Sequence, residues 1–445
     1  MTLTLKIITL LWLTIALGKA ASLISRGYRY SVLMAIFPFY VYYALPLAAD
    51  IFLPTNQEMF DVFPGFRQTT DDFFSLTVYC LFISLCPLVW RLGRCPAKYQ
   101  GETLVSGSRN SGHKKNFTIA LLWVIMIAPL IYLLLCPDFG ALLTYGSIVR
   151  GEVLAGSDFE RFHATLSLLS SVALACQGIY IIRRRRMAPI EVTIALCVAL
   201  ILIYCNGKRY SFALWLGCLY IAFYVKGWLR RRLVVTTSVF VLSFVIFSVF
   251  YQSMIRRAEG SFWSYPIDYR RDEHLKFAIY KVVNNEHREV IEYPGQSLFF
   301  NLVAFIPRQY YIEKPYPYHV YLTAAAVGYV MKSGDDIISW GVTSSILDEC
   351  LLNFGWVGFL VGPLLLVMLG RLADARGDVM KTLTITLMWV LLSVQVAALL
   401  GLFAIWAIGL LYELVFRLHV IKPRRSIWWM AAGERSSRLF PKECR

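Results

Sequence analysis

RRRLVVTTSVFVLSFVIFSVFY, residues 230–251, decides the class of this protein. Three arginines are followed by a run, Leu233 to Tyr251, that carries no charge. A helix rising about 1.5 Å per residue over such a run matches the roughly 30 Å of hydrocarbon in a bilayer. The arginines mark where the segment leaves the lipid, because Lys and Arg are held back on the cytoplasmic side. Comparable runs lie near residues 4–22, 30–53, 73–91, 117–136, 163–182, 188–205, 210–226 and 353–371. The stretch 382–416 is long enough for two crossings, with a turn expected near Gly401.

The composition agrees. Hydrophobic residues make up 58% of the 445, charged residues only 16%, and the mean hydropathy is +0.58. That leaves too little polar surface to cover a soluble core. The runs lack the alternation of barrel strands, and in lipid a helix satisfies its own backbone groups. The sequence therefore predicts an all-α polytopic membrane protein with about 11 transmembrane helices. The first run has no convincing cleavage site and reads as a retained helix.

Charge orders the segments between the runs. One alternate set carries Arg26 and Arg29; Arg91, Arg94, Lys98, Arg109, Lys114 and Lys115; Arg183 to Arg186; Lys226 and Arg230 to Arg232; Arg371, Arg376 and Lys381; and the basic tail. The opposite set holds Asp61, Asp71, Asp72, Asp138, Asp158 and Glu160, with few cations (Arg67, Arg150, Arg161, Lys208 and Arg209). This alternation puts the tail in the cytoplasm and the N-terminus outside. It also accounts for the net charge of +16 without nucleic acid. Four parts follow: an N-terminal bundle of about eight helices over 1–251, a large external loop over 252–341, about three C-terminal helices over 342–421, and a basic cytoplasmic tail over 422–445. Ten cysteines form no CxxC pair and no zinc spacing, so they read as small buried hydrophobes. No metal or other cofactor is expected.

Three stretches depart from this pattern, and all belong to the outer side. NGKRYSF, 206–212, is a tight turn that sets Lys208 and Arg209 at the start of a helix, where an anion is favoured. FIPRQYYIEKPYPYHV, 305–320, fixes Arg308 and Lys314 between prolines 307, 315 and 317, among Tyr310, Tyr311, Tyr316 and Tyr318. It also holds His319, one of three histidines in the large loop with His274 and His287. SSILDECLLNFGWVG, 344–358, brings Asp348, Glu349 and Asn353 to the point where the chain re-enters the membrane, with Gly355 and Gly358 allowing close packing. The apolar piece 297–306 is too short to span and is expected at the interface or dipping back in. Each stretch also has a plainer reading: a snorkelling arginine, an aromatic belt, a helix-start carboxylate. Together, guanidinium groups that grip phosphate, rings that stack on sugars and a nearby base suit a lipid-diphosphate glycan.

The order of these stretches resembles the oligosaccharide repeat unit polymerases, the Wzy-type O-antigen and capsule polymerases. The matching residues are Gly207, Lys208 and Arg209; Pro307, Arg308, Lys314 and Pro315; and Glu349, Asn353, Phe354, Gly355 and Gly358. The chain departs from the family pattern at Asp348 and Cys350. The resemblance implies a GT-C-like membrane glycosyltransferase of the bacterial inner membrane. Its substrates would be undecaprenyl-diphosphate-linked oligosaccharides, with a flippase and a chain-length regulator as partners beside the membrane lipid. It implies catalytic roles for Arg209 and Arg308 on the diphosphate and for Glu349 or His319 as base. Lys208, Lys314, Tyr310, Tyr311 and Asn353 would bind substrate.

Two other readings stand beside it. A GT-C transferase that takes a polyprenyl-monophosphate sugar would need an early acidic motif, for which Asp61, Asp71 and Asp72 are available, and an O-antigen ligase is the other transferase alternative. A flippase or exporter of the same glycans would show paired halves or charges at mid-membrane, and the sequence has no visible repeat.

Overall fold

A computed structural model describes residues 2–52, 60–61, 63–94, 112–146, 157–184, 187–255, 271–333 and 341–421. Lys98, Arg109, Arg150, Arg185, Arg186, Cys95, Cys444 and the tail from 422 lie outside these residues. The described chain is helical throughout, with no strand. Seven helices are long and apolar enough to cross a membrane: Thr2–Ser25, Ser31–Phe52, Phe73–Gly93, Asp158–Arg183, Pro189–Asn206, Leu229–Tyr251 and Ile346–Asp374. The chain is a helical membrane protein. The Leu229–Tyr251 segment makes the reason visible. It turns Val234 (77% exposed) and Val235 (66%) outward, an apolar surface that water would penalise and lipid would not.

Helix ends follow local chemistry. The Asp72 carboxylate accepts from the backbone of Phe74 and Ser75 and opens the helix at Phe73. Gly207 stands in the left-handed region at φ 65°, which ends one helix at Asn206 and lets the next begin at Arg209. Ser345 and Asp348 form a reciprocal capping box at the start of Ile346–Phe354. Past Gly355 the chain resumes as Gly358–Asp374. A side chain at Gly358 would strike the Cys350 carbonyl, so the close approach needs glycine.

The basic segments meet at one end of the first compact unit, residues 1–400. Asp374 accepts from the Ser31 amide at 3.0 Å and from Lys381 at 2.8 Å. Lys381 also donates to the Arg29 carbonyl, Arg29 to the Val225 carbonyl, Lys226 to the Arg184 carbonyl, and Arg371 to the Leu92 carbonyl. The grouping of Arg29, Arg184, Lys226, Arg371 and Lys381 read from charge alone is therefore a spatial grouping.

The stretch 382–416 breaks into two helices close to Gly401, as expected, with the turn a few residues earlier. Asp378–Leu391 ends first, a turn carries Ser393 to Gln395, and Gly401 lies inside the helix Leu400–Ile421. The large segment 252–341 carries structure of its own, as its length requires. Its described part folds into Arg271–Val283, His287–Val290, Gln296–Val303 and Tyr318–Val327. Within the second unit, from Gly401 onward, Phe403 and Trp406 meet edge to face.

Candidate functional site

Glu349 is the centre of the best-formed polar cluster. It is buried (1% exposed), one turn into its helix, and so must find its partners within the protein. Ser297 Oγ donates to Oε1 at 2.9 Å and the Val396 amide donates to Oε2 at 3.2 Å. Asn353, one turn further on, donates to Ser297 Oγ at 2.8 Å and to the Glu349 carbonyl at 2.7 Å. Its Oδ1 accepts from the Ser297 amide. The short apolar helix Gln296–Val303 is thus pinned to the membrane helix by Ser297, which is why this piece of the large loop is ordered although too short to span.

His319 joins the same cluster from another side. Its Nδ1 lies 2.7 Å from Gln395 Nε2, and residue 396 is the one whose amide binds Glu349. The amide nitrogen donates to Nδ1, which places the ring proton of a neutral imidazole on Nε2. Burial pushes the His319 pKa below its ordinary value, which favours the neutral ring. The two candidate bases, 30 positions apart in sequence, are therefore linked through the 395–396 turn. Asp348 faces a neighbouring polar group. Its Oδ1 accepts from the Ser345 amide at 2.7 Å, and Tyr43 Oη donates to Ser345 Oγ at 2.8 Å.

The loop cations sit differently from the expectation of a phosphate grip. Arg308 donates to the carbonyls of Lys314 and Pro315 at 2.8 and 3.0 Å and stacks 3.8 Å from the centre of the Tyr316 ring. Lys314 is buried and donates to the carbonyls of Ala304 and Ile306, both at 2.8 Å. The prolines of this stretch supply no amide donors, so its backbone carbonyls take cations instead. Lys314 is a tie for the loop. Arg308 is half-buried and spends two of its N–H groups the same way. Tyr310 is 76% exposed, and Tyr311 is half-buried.

Arg209 opens the helix Arg209–Lys226, with its guanidinium 5.1 Å from the Tyr251 ring centre, and Lys208 before it is exposed. The far end of that helix, Lys226, contacts Arg184 at the basic end. Glu349 likewise begins a segment whose far end, Asp374, is bound to Lys381. Arg209 and Glu349 thus both lie at the end remote from the basic cluster. Neither of the two cavities described further below is lined by any of these candidate residues.

One polar cluster was not anticipated. Lys276 Nζ lies 2.6 Å from Asp50, 2.7 Å from Asp272 and 3.1 Å from Glu273, with Lys6 at 3.7 Å from Asp50. Lys276 is 3% exposed, and its ammonium also lies 5.4 Å from the Tyr79 ring centre. Three carboxylates within 4.8 Å of one another are a donor set for a cation, and the Lys276 ammonium sits among them. The sign in the sequence was Asp50, a charge near the end of an otherwise apolar run. Comparison with protein-family models, curated proteins and solved structures finds no match for this chain.

Proposed function

We propose that this protein is a membrane glycosyltransferase that polymerises polyprenyl-diphosphate-linked glycans at the end of the bundle remote from its basic cluster. In this reading it crosses the membrane 11 times, adding Gly112–Leu133, Arg209–Lys226, Asp378–Leu391 and Leu400–Ile421 to the seven longer apolar helices. The basic end faces the cytoplasm, in keeping with the retention of Lys and Arg there. The observation that carries the reading is the linkage of His319 to Glu349 through Gln395 and Val396, beside Asn353 and Ser297. His319 is the candidate base, and the buried Glu349 and Asn353 hold the turn that carries its partner Gln395.

The chemistry assigns one task to each group. The bond from the anomeric carbon to the diphosphate oxygen breaks, and the diphosphate leaves with the electron pair. Arg209 and the unspent N–H groups of Arg308 balance its charge. A hydroxyl of the acceptor sugar replaces the Gln395 amide at His319 Nδ1 and gives up its proton there as the new glycosidic bond forms. Glu349 and Asn353 fix the 395–396 turn and the Ser297 helix. Tyr310 and Tyr311 offer faces for sugar rings. A ligase reading uses the same groups with a different acceptor.

The test is genetic and chemical. A host lacking this gene, supplied with the Arg209→Ala protein, is expected to make single lipid-linked units on the outer leaflet and no long chains. Arg209→Lys is expected to restore only part of the polymer, because it lacks the planar fork. Normal chain lengths with both Arg209→Ala and Arg308→Ala would overturn the roles given to those residues. Units stranded on the cytoplasmic leaflet would indicate a transporter instead.

A further inference from the structure

The basic end of the bundle holds a cleft of about 430 Å³ between the helices Arg209–Lys226 and Leu229–Ile255. Arg230, Arg231 and Arg232 line it together with Phe223, Trp228 and Thr236. It shares Gly227 and Arg230 with a smaller adjoining cavity of about 50 Å³ that reaches Tyr28 and Arg29. No carboxylate lines either cavity among the described residues. Two acids of this end hold other partners: Asp374 accepts from Ser31 and Lys381, and Glu191 pairs with Arg184.

We propose that this cleft binds the phosphate headgroup of an anionic phospholipid. Arginine gives planar, paired donors suited to phosphate oxygens. The backbone leaves helical geometry at Arg232 (φ −129°, ψ 23°), so the three arginines are not spread evenly around a regular helix. Trp228 is 46% exposed, with the Lys226 ammonium 5.0 Å from its ring centre, an arrangement suited to the headgroup level. Below the arginines the surface turns apolar at once, through Val234, Val235 and Leu242 (59% exposed). A free phosphate has no use for that surface, whereas acyl chains lie along it. Cation retention explains why arginines occur at this end. It does not require them to share one cleft with an aromatic wall and no acid.

The experiment uses the full-length protein in neutral detergent, titrated with phosphatidylglycerol or phosphatidylcholine in mixed micelles. Bound lipid is read by native mass spectrometry and stability by thermal unfolding. Phosphatidylglycerol, and not phosphatidylcholine, is expected to bind and raise the midpoint. Arg231→Gln and Arg232→Gln are each expected to weaken binding about fivefold, the factor that corresponds to roughly 1 kcal/mol per cation near an anionic surface. Trp228→Ala is expected to weaken it without changing charge. The charge-matched pair Arg91→Gln and Arg183→Gln, outside the cleft, is expected to leave binding unchanged. Equal loss with that pair would reduce the effect to diffuse attraction and overturn the site. Competition by millimolar inorganic phosphate as strong as that of the lipid would overturn the lipid assignment.

Discussion

At one end of the bundle Asp50, Asp272, Glu273 and Lys276 bury their charges against one another; at the other, Arg230, Arg231 and Arg232 are exposed around a cleft whose wall holds no carboxylate among the described residues. The difference follows from solvation. A charge removed from water must be matched inside the protein, whereas a charge at the membrane surface keeps its water and attracts a counter-ion from outside. The Glu349 cluster belongs to the first kind: both carboxylate oxygens have donors and neither meets water. The two buried clusters of the remote end are thus satisfied internally, whereas the arginines of the basic end keep their contact with the outside.

The comparison breaks most visibly at Lys276. Lys276→Met removes an ammonium that lies within 3.1 Å of three carboxylates, and is expected to cost about 3–5 kcal/mol of stability in unfolding measurements. Lys6→Met, which removes only a 3.7 Å contact, is expected to cost much less. Next comes Glu349→Ala, which strands the Ser297 hydroxyl and the Val396 amide. A loss of about 2–3 kcal/mol is expected, with Glu349→Gln milder because its amide oxygen keeps one acceptor. Lys314→Met removes a charged donor from two carbonyls and is expected to cost about 1.5–3 kcal/mol, read as earlier proteolysis of the 304–316 segment. Substitutions of comparable size at Arg231 are expected to leave folding stability in neutral detergent within about 0.5 kcal/mol.

The smallest effect is on pH dependence. Burial holds the folded His319 below the unfolded value of about 6.5, so the folded state binds fewer protons. Its contribution to stability is full above about pH 6.5 and is lost as pH falls through the folded value. The melting midpoint of the wild type is therefore expected to drop between about pH 7 and 5 more steeply than that of His319→Gln. Equal slopes would contradict the buried, neutral ring.

Much of the bundle was legible in the sequence because lipid imposes a simple rule. The run expected at 188–205 is the helix Pro189–Asn206, and the one expected at 210–226 is Arg209–Lys226. The charge alternation located the basic end without any coordinates. The position of the break before Leu400 was not legible to the residue, because Ser393, Val394 and Gln395 are as compatible with an apolar helix as Gly401, and what ends the helix there is tertiary: Gln395 bonds to His319 and Val396 to Glu349. The internal acceptors of Arg308 and Lys314 were not legible for the same reason. A cation among prolines and tyrosines reads as a ligand grip, yet which acceptor it takes depends on carbonyls that only the folded loop presents. Asp50 was visible as a charge in an apolar run, but its nearer partner, Lys276, comes from a segment more than 200 residues away.

The most direct test of the proposed activity is reconstitution of the purified protein in vesicles with a polyprenyl-diphosphate-linked oligosaccharide, followed by chromatography of the lipid and gel analysis of the glycan. The account predicts release of polyprenyl diphosphate together with a ladder of longer glycans for the wild type, and neither for Arg209→Ala. Units that cross the bilayer intact, with no diphosphate released and no ladder formed, would contradict it.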